Sequence, residues 1–190
     1  MLKDFTDYNE ISEALAKECH MLREQFSLLR VFYSELQDDD FKEIVKGTND
    51  FWVPVLKSID DSVVTGVTTL LGDKEVNGIT QLSFNLLFTY YNNEALFSTY
   101  NDILKENKTL IKKLRKQRNN YSAHKRADKI YSFDKNIEDF YNLLNNLKSF
   151  SESIVTSIHG GGHIDSEYAK KDFLTIKKRL LDSQKFYRLK

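Results

Sequence analysis

A single proline, Pro54, in 190 residues, with only seven glycines, is the strongest constraint on what this chain can fold into. Sandwiches and barrels turn often and use many of both residues, so their scarcity predicts long helices. The apolar pattern agrees. Tyr8, Ile11, Leu15, Cys19, Leu22, Phe26, Leu29, Tyr33 and Leu36 follow one another at steps of three and four, the spacing of one buried stripe on an amphipathic helix. Asp38-Asp39-Asp40 ends that helix or caps a short following turn.

A second helix is predicted from Asn49 or Asp50, with Pro54 in its first turn and Trp52, Leu56, Ile59, Val63, Val67 and Leu70 facing inward. Gly72-Asp73 reads as its stop. Ile79, Leu82, Leu86 and Tyr90 predict a third helix, ending near Asn92-Asn93. Helical pattern resumes from Glu94 through Leu104 and from Lys108 to Ser122. Asp134 would cap a further helix carrying Ile137, Phe140, Leu144, Leu147, Ile154 and Ile158. Gly160-Gly161-Gly162 would break it before a basic helix from Ser166 to Phe186. The fold class expected is therefore all-α, a helical bundle of roughly five to seven helices. Residues 1–158 would form the bundle, and 159–190 a glycine hinge plus a C-terminal helix packed on the same domain.

Composition narrows the function classes. One cysteine, Cys19, excludes an intrachain disulfide framework and a cysteine-rich zinc site. No apolar run reaches the roughly 20 residues that span a bilayer, and the N-terminus lacks the pattern of a signal peptide. A cytoplasmic protein with no membrane partner is expected. Net charge is zero, but its distribution is uneven. Residues 1–60 hold seven Lys/Arg against thirteen Asp/Glu, residues 105–129 ten against two, and residues 170–190 eight against two. The basic segments could gather around a phosphate-bearing partner, or dock on the acidic N-terminal third of this or another protomer.

His159-Gly160-Gly161-Gly162-His163 suggests a metal clip or an oxyanion loop. No third ligand beyond Asp165 is evident and no Gly-x-Ser-x-Gly elbow exists, so a hinge is the better reading. No cofactor and no metal are expected.

The stretch with most chemical content is Arg118-Asn119-Asn120-Tyr121-Ser122-Ala123-His124. Asn-Asn-Tyr-Ser is a poor helix interior, since Asn and Ser bond their own backbone. Arg118 and His124 are six apart, about 120° round a straight helix. For the two to work together, the helix must bend or end between them, most easily at Asn119-Asn120, or a second chain must complete the site.

This pattern resembles the signature of the HEPN superfamily, in particular its abortive-infection branch: an Arg, a polar residue, a short gap and a His preceded by Ala. Trp52, Asp73 and the Leu82 to Leu87 region follow the branch's order of a Trp-bearing helix, an Asp at its end and a Leu-rich helix. The acidic residue that relatives carry soon after the His is displaced to Asp128. The resemblance implies a homodimer whose two motifs face each other across a cleft, in many members a metal-independent endoribonuclease acting as a toxin or phage-defence effector. It would place Arg118, His124 and Asn119 in catalysis, and Arg115, Tyr121, Lys125 and Arg126 on an RNA substrate. A restraining antitoxin or regulatory protein is a further implied partner. The alternative is a non-catalytic HEPN dimer that binds a protein or nucleotide.

Overall fold

The computed structural model of the protein describes residues 7–123, 137–160 and 177–178, the side chains of residues 49 and 120–123 excepted. Seven helices run through these residues: α1 (Tyr8–Glu35), α2 (Asp39–Gly47), α3 (Asn49–Leu70), α4 (Phe84–Tyr90), α5 (Glu94–Glu106), α6 (Lys108–Ala123) and α7 (Ile137–His159). A two-stranded antiparallel ribbon, β1 (Glu75–Val76) and β2 (Ile79–Thr80), links α3 to α4. The all-α bundle expected from the periodicity is what the chain forms.

α1 is the central element. It packs along α7 and α3, while α6 packs on α3 and α5 leans on α7. The middle of the predicted stripe is buried, with Ile11, Leu15, Cys19, Leu22, Phe26 and Leu29 in the core. At its ends Tyr8 is exposed, whereas Tyr33 and Leu36 are half-buried and Phe32 is buried beside them. Phe26 meets Phe140 of α7 edge-on, with ring centroids 4.7 Å apart. At the rim of the same seam, Arg23 donates to the Tyr141 hydroxyl at 2.9 Å and Arg30 grips Glu138 through two nitrogens. Gly66 fixes how closely α3 approaches α1, because a Cβ there would lie 2.5 Å from Leu22 Cδ2.

Helix starts follow ordinary capping chemistry. Asp7, Asp38, Ser83 and Asn93 each accept a backbone N–H from the first turn of the helix they precede. The Asp38-Asp39-Asp40 run thus opens α2 rather than simply closing α1. Pro54 is the sixth residue of α3, one turn deeper than expected. Its missing N–H leaves the Asp50 carbonyl without the usual helical donor, on an exposed end of α3 where water can serve instead.

The third predicted helix is half wrong. Its first part, around Ile79, is the ribbon, and only Phe84–Tyr90 is helical. Asn77 and Gly78 carry φ of 53° and 75°, the left-handed pair that a tight two-residue hairpin demands and a helix forbids. Gly160, with φ of 78°, follows the last residue of α7 as a helix stop should. The proposed Asp134 cap and most of the 166–186 helix lie outside the described residues.

Lys177, within that last segment, bears on the second basic region. Its ammonium donates to Glu35 and, at 2.9 Å, to Asp38 Oδ2, and it sits 5.5 Å from the centroid of the Phe41 ring. One basic side chain of the C-terminal segment is therefore docked on the acidic N-terminal third. Hydrogen bonding to Lys177, and then to the Phe41 N–H, holds the Asp38 carboxyl below its ordinary 3.8. That stabilisation is present above the ordinary value and lost as pH falls below it. Lys177→Ala should lower the melting temperature by about 2–4 °C in dilute buffer and by less in concentrated salt, as expected of a partly screened pair. Differential scanning fluorimetry at two ionic strengths checks this, and equal shifts in both would contradict it.

Two buried acids predict alkaline weakening. Burial pushes the Cys19 thiol from 9.0 to about 12 and the Tyr100 phenol from 10.0 to about 12. Unfolded, both ionise earlier, so the unfolded chain holds fewer protons than the native one and stability falls as pH rises from about 9 towards 12. Urea midpoints across that range should slide downward, and Cys19→Ala with Tyr100→Phe should flatten the slope.

Candidate functional site

The motif helix is α6. Asn107 joins it to α5: its N–H and its side-chain amide both donate to Ile103 O, while its carbonyl accepts from Ile111. Ile111 and Leu114 are buried in the core, and α6 packs mainly on α3. Two polar contacts fasten this flank. Arg115 Nη2 donates to the Leu71 carbonyl at 2.8 Å, satisfying one of the C-terminal carbonyls of α3. Gln117 Nε2 donates to Asp60 Oδ2 at 2.9 Å. Asp60 is only 5% exposed. Burial, and then the charge of Asp60, raise the Tyr33 phenol on α1, so the field of Asp60 reaches α1 while its hydrogen bond ties α6 to α3.

Arg118 is half-buried. At about 100° per residue it falls on the same side of α6 as Ile111 and Leu114, and it already engages a neighbouring group of the chain. Asn119 is exposed and points roughly 100° away, so α6 does not bring the two side chains together. α6 is helical without interruption from Lys108 to Ala123, so the helix does not end at Asn119-Asn120. Tyr121 lies on this helix, but its side chain is not among those described; His124, Lys125 and Arg126 lie outside the described residues.

The outward face carries the feature that the motif did not announce. Lys108, Lys112, Lys113, Arg115 and Lys116 are all exposed, α6 holds no acidic residue, and among the described residues none of these cations pairs with a carboxylate. Lys112 and Lys116 stand roughly 150° round from the buried pair Ile111 and Leu114. The signal was readable as ten Lys/Arg with only Glu106 and Asp128 between positions 105 and 129. The Asp60–Gln117 pairing, joining residues 57 apart, had no local signal.

Elsewhere, His159 lies 3.6 Å from Glu13, and His163 is outside the described residues. Among the described residues no group of three or more His, Cys, Asp or Glu side chains could hold a metal. No helix among them is long and apolar enough to cross a membrane. No family model matches the chain, and no curated protein or solved structure is significantly similar to it.

Proposed function

We propose that this protein acts on RNA, as a metal-independent endoribonuclease of HEPN type serving as a toxin or phage-defence effector in the cytoplasm, with two copies of the Arg118–His124 motif meeting in a homodimer. The observation that carries the reading is α6 itself: the helix leading into the motif is the one that presents an acid-free basic face. A polyanion is the natural complement of that face.

RNA brings its own nucleophile. In this reading His124 takes the proton of a 2′-hydroxyl, whose oxygen attacks the adjacent phosphorus. The P–O5′ bond breaks as the P–O2′ bond forms, the departing 5′-oxygen takes up a proton from water, and a 2′,3′-cyclic phosphate is left. Arg118, a fixed cation, stabilises the extra charge on the phosphorane. Asn119 would orient His124 or contact a phosphate oxygen, Tyr121, Lys125 and Arg126 would contact the strand, and Arg115 would raise the local potential.

The test is direct. Purified wild type should degrade RNA in EDTA, and His124→Ala should stop it without changing the circular dichroism spectrum. Identical behaviour of the two proteins on a broad set of RNAs would sink the proposal. A second reading, a non-catalytic dimer binding a protein or nucleotide, draws on one observation: Arg115 and Gln117 fasten α6 to α3, a structural duty within the motif helix. Easy overproduction of wild type in growing cells, without any antitoxin-like partner, would favour it.

A further inference from the structure

We infer that the outward face of α6 is a phosphate track, which holds one strand of RNA by its backbone through Lys108, Lys112 and Lys116, independently of base sequence. The inference rests on the RNA reading above and adds the residues and the mode of binding.

The three lysines are four residues apart and all exposed. Each step rises about 6 Å along the helix, close to the separation of successive phosphates on an extended strand. The arrangement is costly to the helix alone. Lys108 sits in the first turn, where the helix dipole disfavours a cation, and the i,i+4 lysine pairs repel one another. No carboxylate among the described residues relieves either effect, whereas a row of phosphates would relieve both.

The rest of the face decides between polyanions. Thr109, Lys113, Arg115 and Asn119, the other exposed residues of α6 whose side chains are described, are polar or charged, so the face lacks the apolar wedge with which a surface helix enters a membrane. No described aromatic stands in the row, so nothing there stacks on bases. A single convex row suits one strand, which can follow it, better than a duplex, whose phosphates curve away.

The test uses the full chain with His124→Ala, in EDTA, and fluorescent single-stranded oligo(U), oligo(A) and oligo(C), followed by anisotropy. Adding Lys108→Gln, Lys112→Gln and Lys116→Gln together should weaken binding of all three by at least about tenfold near 0.1 M salt and make the slope of log K against log salt shallower by about 2. Replacing the same three lysines by arginine should restore both. Unchanged affinity, an unchanged slope, a loss confined to one sequence, or a duplex competing as well as the single strand would overturn the inference. The two proposals fail separately. RNA held by this row but never cut in wild type sinks the nuclease, and RNA cut equally well without the three lysines sinks the track.

Discussion

Arg118→Ala should lower RNA cleavage by about 100- to 1,000-fold, the usual effect of removing one preorganised donor from a developing oxyanion. Lysine at 118 keeps the charge but loses the planar fork that can grip two phosphate oxygens, so Arg118→Lys should recover only part of the rate. Because Arg118 is half-buried and engages the chain itself, each variant needs a thermal melt beside its rate. A variant that melts like wild type and still cuts at the wild-type rate removes Arg118 from the chemistry. One that loses its fold as well as its activity says only that the residue matters for packing, and the lysine variant then decides.

The largest stability effect is expected at the α1–α7 seam. Phe26 is 0% exposed and meets Phe140 at 4.7 Å. Phe26→Ala removes most of that ring's buried area and leaves a cavity that two long helices cannot close, which costs about 3–5 kcal/mol. A domain of this size is typically stable by about 5–15 kcal/mol, so the variant should sit near the edge of folding at 37 °C. Phe26→Leu keeps most of the volume and should cost about 1 kcal/mol. Urea unfolding followed by circular dichroism measures both, and an alanine variant within 1 kcal/mol of wild type, as an order of magnitude, would show that the core relaxes freely.

The bundle was legible where periodicity is the whole signal. The stripe from Tyr8 to Tyr33 needed only steps of three and four, and α3, α5, α6 and α7 followed in the same way. The misreading around Ile79 has a definite cause. Ile79, Leu82 and Leu86 keep helical spacing, but Asn77-Gly78 requires positive φ at two successive residues, and that backbone demand overrides side-chain rhythm. Within the candidate site, the charge of α6 was readable and the side each residue takes was not. Arg118 and Asn119 are neighbours in sequence, yet one is half-buried and the other exposed. What fastens α6, the Leu71 carbonyl and Asp60, comes from residues more than forty positions away, beyond any local pattern. The alternative of basic residues docking on the acidic third was right for one residue, Lys177.

Cys19 is the chain's only thiol and is 1% exposed in the middle of α1. A maleimide or disulfide reagent can therefore react only when α1 and α7 part, and the labelling rate becomes a clock for opening of the bundle. The protein carries its own unfolding reporter, with no engineered probe required.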